Sequence, residues 1–137
     1  MRIANQNILD KLNSIEFKQY ISKMDINTVL VFGSVLTDDF HEYSDVDIAI
    51  LGKDSLKIKE ILDLELYLEN LLERSIDVVD LNSDTLDIFI KINILNTGKV
   101  IYSSDYNKSV EELIERVHWY YKQNEHYFDC RRRDLIS

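Results

Sequence analysis

Apolar residues near the start of the chain recur at helical intervals. Ile8, Leu9, Leu12, Ile15 and Ile21 fall within residues 4–24, the three-to-four-residue spacing of a helix with one buried stripe. Asn13-Ser14 interrupts the run, so the pattern predicts one or two helices. The period then changes. Residues 27–32, NTVLVF, and 45–51, DVDIAIL, are short and rich in β-branched residues, and both predict strands. Ser55 is placed to cap a Leu/Ile-rich helix reaching about residue 73. Residues 75–82, SIDVVDLN, return to strand character, 85–95, TLDIFIKINIL, look helical, and Gly98 punctuates the chain before the strand-like KVIYSS. A C-terminal helix, about 105–130, is expected from Val110, Leu113, Ile114, Val117 and Tyr121.

This alternation predicts an α/β (α+β) fold, a small mixed sheet flanked by helices. With 137 residues, 45% of them hydrophobic, the chain can build one core and is too short to expect two. It has no proline, repeat or linker-like tract, so a single domain over 1–137 is expected. No apolar run approaches the roughly 18 residues of a membrane span, and the opening MRIANQNILD lacks a signal peptide's apolar stretch. Cys130, the lone cysteine, excludes an internal disulfide and reads as helix packing. The expectation is a cytoplasmic protein with no membrane partner.

A net charge of −9 and a pI near 4.7 argue against direct nucleic-acid binding, which needs clustered Lys and Arg. Nucleotides are another matter, because metal ions and backbone N–H groups can hold a triphosphate in an acidic protein. The one basic run, Arg131, Arg132 and Arg133, reads as a solvated tail or a partner contact rather than a catalytic clamp.

Gly33 and Ser34 directly follow the first predicted strand. Glycine permits close approach and unusual φ, and the serine hydroxyl can donate to a phosphate oxygen, although such a pair is also an ordinary turn. The next strand changes the picture. Asp45 and Asp47 project from one face of it, about 7 Å apart at their Cα atoms, close enough to share a cation. In SIDVVDLN, Asp77 and Asp80 lie on opposite faces, so only one can join them. Asp77, between Ile76 and Val78, occupies a position where a lone carboxylate would be costly to bury, and is the candidate. Asp80 is expected to face solvent or help end the strand.

Gly33-Ser34, ten intervening residues ending in Ser44, Asp45-Val46-Asp47, then a strand bearing Asp77, together resemble the minimal nucleotidyltransferase branch of the DNA polymerase beta superfamily. The resemblance runs from the strand at 27 to the strand near 102. It implies transfer of AMP from ATP to an acceptor hydroxyl with release of pyrophosphate. Asp45 and Asp47 would hold Mg²⁺, Gly33 and Ser34 would cradle the phosphates, and Asp77 would join a second Mg²⁺ and help deprotonate the acceptor. Many relatives follow Gly-Ser with a small residue and Arg-Gly. This chain has Val35, Leu36, Thr37 and Asp38, with Asp39 and Glu42 adding negative charge nearby.

Size and acidity are similar to those of stand-alone nucleotidyltransferases paired with HEPN-domain ribonucleases. That resemblance implies an antitoxin that adenylylates a tyrosine of its HEPN toxin partner. Two alternatives stay open, an antitoxin acting by contact alone and a small-molecule, aminoglycoside-type nucleotidyltransferase. Trp119, Tyr120, Tyr121, Tyr127 and Phe128 suit a docking helix, though some of them can simply cover the sheet. His118 and His126 are too far apart along a helix to share a metal, and both, with His41, read as non-ligands.

Overall fold

Alternation along the strands decides the layers. The computed structural model describes residues 3–136, the side chains of residues 3, 4, 132 and 134–136 excepted. Its elements run α1 (Ile3–Leu12), α2 (Ile15–Ser22), β1 (Thr28–Phe32), a 3₁₀ turn (Gly33–Leu36), β2 (Val46–Leu51), α3 (Ile58–Leu72), β3 (Ile76–Asp80), α4 (Ile88–Thr97), β4 (Lys99–Ser103), α5 (Lys108–Gln123) and α6 (Glu125–Ile136). The strands lie in the order β3-β2-β1-β4. β1 is antiparallel to both β2 and β4, while β2 and β3 are parallel and joined through α3, so the sheet is mixed. Val29, Val31, Val46, Ile48, Ile50, Ile76, Val78 and Ile101 share a core with residues of α1, α2 and α3. Leu30, Ala49 and Leu51 point the other way and pack with Ile94, Val110, Leu113 and Val117 of α4 and α5. Side-chain alternation thus gives each face of the sheet its own core. Among the described residues, no helix is long and apolar enough to cross a membrane.

The break at Asn13-Ser14 falls where the sequence places it. Ser14 caps α2, its Oγ accepting the Phe17 N–H at 3.2 Å. Ser55 does not cap α3. That helix opens three residues later, where the Glu60 carboxylate accepts the Lys57 N–H at 3.1 Å, and an acid in the first turn also complements the helix dipole. The Ser55 hydroxyl instead donates to the Asn82 carbonyl at 2.9 Å. Leu64, Leu68 and Leu72, one turn apart, bury the inner face of α3. Its end is set by Glu73 in the left-handed region at φ 55°.

The expected C-terminal helix is two helices. Asn124 leaves helical geometry, its Nδ2 donating to the Tyr120 carbonyl at 2.9 Å, and α6 follows at once. Phe128, 3% exposed, is surrounded by the rings of Phe89, Tyr120, Tyr121 and Tyr127. The aromatic set is therefore divided. Phe128 anchors α6 internally, whereas Trp119 and Tyr127 are 64% and 62% exposed. Arg131 is no solvated tail either. Its guanidinium pairs with Asp87, the cap of α4, and lies 4.9 Å from the centroid of the Phe89 ring. That hydrogen bond is the main reason the Asp87 carboxyl titrates below its ordinary range. Arg133 Nη2 lies 3.3 Å from Cys130 Sγ, and the side chain of Arg132 is outside the described residues.

Thr28 is fully buried in β1, and its Oγ1 has no hydrogen-bond partner. Such an oxygen costs desolvation without return. Thr28→Val, which keeps the shape and removes the hydroxyl, is expected to raise the unfolding free energy by about 1 kcal/mol in urea titrations.

Candidate active site

Strand pairing builds the site from its backbone outward. Phe32, the last residue of β1, pairs with Asp47 of β2, and the chain turns immediately beyond it at Gly33. Gly33 has φ +80°, and a Cβ built there would overlap Asp47 Oδ2. Only glycine meets both demands. The 3₁₀ turn then presents a half-buried Ser34, whose carbonyl accepts the Thr37 N–H at 2.9 Å. Asn5, on α1 and 1% exposed, holds this turn from beneath. Its Nδ2 donates to the Val35 carbonyl at 2.7 Å and the Thr37 carbonyl at 3.2 Å. Sequence reasoning missed Asn5. It lies three and four residues before Ile8 and Leu9 and so extends the buried stripe of α1 by one turn, with an amide where an apolar residue would be expected.

Asp45, Asp47 and Asp77 are brought to one end and one face of the sheet. Asp47 and Asp77 are register partners across the parallel β2–β3 pair. Asp45 lies one residue before β2, exposed, with the same parity as Asp47. The second helical layer covers Ala49, Leu51 and Val79 on this face, and neither Asp47 nor Asp77 belongs to its core. Asp77 is consequently exposed, not in the costly buried position inferred from its apolar neighbours. Asp47 is half-buried. Burial first, then the charges of Asp77 and Asp45, push its carboxyl above the ordinary aspartate value of 3.8.

Asp80 has a different task. It lies on the opposite face from Asp77, as parity requires, but it is 7% exposed rather than solvent-facing. Its carboxylate accepts the Leu56 N–H at 2.8 Å and the Asn82 N–H at 2.9 Å, ending β3 and tethering the approach to α3. The histidines lie apart from the three acids in role. His41 Nδ1 accepts the Tyr43 N–H at 3.2 Å, His126 Nε2 lies 3.8 Å from Cys130 Sγ, and His118 lines a cleft between α4 and α5.

Among the described residues, no three His, Cys, Asp or Glu side chains are grouped closely enough to hold a metal ion between them. The acids nonetheless fit Mg²⁺, which prefers hard oxygen ligands and takes one or two carboxylates while completing its shell with water and substrate phosphates. Burial first, and then the charges of Asp77 and Asp45, raise the Asp47 carboxyl, and a bound cation would offset the share owed to those charges.

A family model described as polymerase beta, nucleotidyltransferase, matches residues 15–107. The chain belongs to that family. The match takes in Gly33, Ser34 and all three acids of the site. This nucleotidyltransferase is also similar to a protein of Methanocaldococcus jannaschii named as a protein adenylyltransferase, with 32% identity over 66 residues, covering 48% of this chain and 67% of the relative. Its fold matches a chain of a toxin–antitoxin structure with AMP-PNP at a TM-score of 0.72 and 21% identity, covering 97% of this chain and 99% of the other. A chain from a complex of a tri-AMPylated Shewanella oneidensis HEPN toxin with an MNT antitoxin matches at 0.63 and 21% identity, each chain covered in full at 100%.

Crowding around Asp47 makes both its charge and its glycine neighbour matter to stability. Because its folded-state pKa is raised, the native state binds more protons than the unfolded chain between the ordinary and the raised value. The associated stability is full below the ordinary value and is lost as pH rises through the folded one. Without divalent cations, Asp47→Asn should therefore have a higher Tm than the parent at pH 7, with the difference closing towards about pH 4. Gly33→Ala should lower Tm and weaken binding of AMP-PNP, measured calorimetrically, since the methyl group displaces Asp47 and φ +80° is strained for alanine.

Proposed function

We propose that this nucleotidyltransferase moves AMP from ATP, in a Mg²⁺-dependent reaction, to a tyrosine hydroxyl of a HEPN-family ribonuclease toxin and acts as its antitoxin. The observation carrying this reading is the register pairing of Asp47 with Asp77, with Asp45 two residues before Asp47 and the Gly33–Ser34 turn directly against the Asp47 carboxylate. The relative named as a protein adenylyltransferase and the AMPylated toxin in a complex of similar fold support AMP as the group moved and a protein as its acceptor. The openness of the site agrees with a macromolecular acceptor, since Gly33, Asp45 and Asp77 are exposed.

The division of labour follows from chemistry. Backbone N–H groups and the Ser34 hydroxyl at the turn receive the phosphates. Asp45 and Asp47 would hold Mg²⁺ against the triphosphate, and Asp77 would help hold a second ion. Bound Mg²⁺ supplies charge neutralisation at the attacking and leaving oxygens of an in-line displacement. The tyrosine oxygen bonds to the α-phosphorus as the bond to the β-phosphate oxygen breaks and pyrophosphate departs. Asp77, exposed and so reachable by the acceptor, would help take the phenolic proton. The exposed Trp119, Tyr120 and Tyr127 of α5 and α6 supply a docking surface for the partner.

With Mg²⁺ and α-labelled ATP, label is expected on a tyrosine of the co-purified HEPN protein, and Asp45→Asn or Asp47→Asn should reduce transfer by about two to three orders of magnitude. Toxin neutralisation undiminished in those variants would instead establish inhibition by contact. Label on an aminoglycoside in the absence of partner would establish a small-molecule enzyme.

A further inference from the structure

Asp45 carries no hydrogen bond of its own among those the structure gives, yet the reaction proposed above needs it at a fixed separation from Asp47 and Asp77. The segment before it, residues 37–44, is exposed over most of its length, with Phe40 its one fully buried side chain. Arg74 reaches this segment from the connection between α3 and β3, directly after the left-handed residue Glu73. Its Nη1 donates to the His41 carbonyl at 2.7 Å and to the Ser44 carbonyl at 3.1 Å. Its guanidinium carbon lies 4.3 Å from the centroid of the Phe40 ring. The segment is closed on itself by the Ser44 N–H donating to the His41 carbonyl and the His41 N–H donating to Ser44 Oγ, both at 3.0 Å. One residue beyond Arg74, the Ser75 carbonyl accepts the Val46 N–H at 3.0 Å.

The backbone on both sides of Asp45 is thus fastened to consecutive residues of one short connection, Ser44 to Arg74 and Val46 to Ser75. That connection leads straight into the strand bearing Asp77. We propose that Arg74 is a positioning residue for the metal-binding carboxylates, setting Asp45 against Asp47 and Asp77. This inference rests on the Mg²⁺-dependent reading of the site. The task calls for arginine specifically. A planar guanidinium can serve two carbonyls while lying against an aromatic face, whereas a lysine ammonium is a compact point charge on a flexible stem.

The test uses the full chain with AMP-PNP and follows Mn²⁺ binding by electron paramagnetic resonance, with Tm recorded for each variant. Arg74→Gln and Arg74→Lys are both expected to weaken Mn²⁺ binding by about 10- to 100-fold, the range for groups that orient metal ligands. Arg131→Gln removes another arginine brace, between α6 and α4, and should lower Tm while leaving Mn²⁺ binding unchanged. Parent-like Mn²⁺ binding in both Arg74 variants would overturn the proposal. So would parent-like binding in Arg74→Lys alone, because charge rather than the two-carbonyl contact would then suffice. Equal weakening in Arg131→Gln would also overturn it, by tracing the effect to stability. If the parent itself binds no Mn²⁺ with AMP-PNP, the metal-dependent reading falls and this inference with it.

Discussion

The pairing of Phe32 with Asp47 is the constraint on which the site depends. It sets where β1 must stop, which residue must turn the chain, and which carboxylate that turn will touch. A one-residue slip would rotate Asp47 into the core shared with α1, α2 and α3 and bring an apolar neighbour to the turn. The apolar residues on both faces of β2 oppose such a slip. Packing that has nothing to do with phosphate chemistry thereby holds a carboxylate against a glycine. The parallel pairing with β3 adds the third acid by the same means, since Asp47 and Asp77 are register partners.

On the proposed reading of the site, a chain with a net charge of −9 can still handle a triphosphate. Acidic residues are concentrated where a cation would be needed, and the turn offers backbone donors and a hydroxyl without relying on a basic side chain. Beneath that turn, one buried amide, that of Asn5, stands in for the missing strand-like partners of the Val35 and Thr37 carbonyls.

Much of this was legible in the chain because it depends on local period. Strand alternation places Asp45 and Asp47 together and separates Asp77 from Asp80, and the family likeness rests on residues that those strands align. What escaped reading depends on contacts distant in sequence. Nothing near Ser55 announces that its hydroxyl goes to Asn82, or near Asp80 that it will accept the Leu56 N–H. The division of the last helix is similarly hidden, because the helical spacing ending at Tyr121 does not disclose that Phe128 will find Phe89 or Arg131 find Asp87. The exposure of Asp77 was misjudged for a related reason. Its apolar neighbours Ile76 and Val78 face the opposite side and say nothing about how far the second helical layer extends.

The position of β3 gives one of its acids, Asp77, one more role. In the order β3-β2-β1-β4 it is an edge strand, with a strand neighbour on one side only, and an edge is where a strand of another molecule can pair. Five residues long and carrying the exposed carboxylate of Asp77, it is a poor template for such growth. The carboxylate proposed to serve the acceptor therefore also discourages edge-to-edge aggregation, and replacing it with an apolar residue would remove a guard on solubility along with that proposed role.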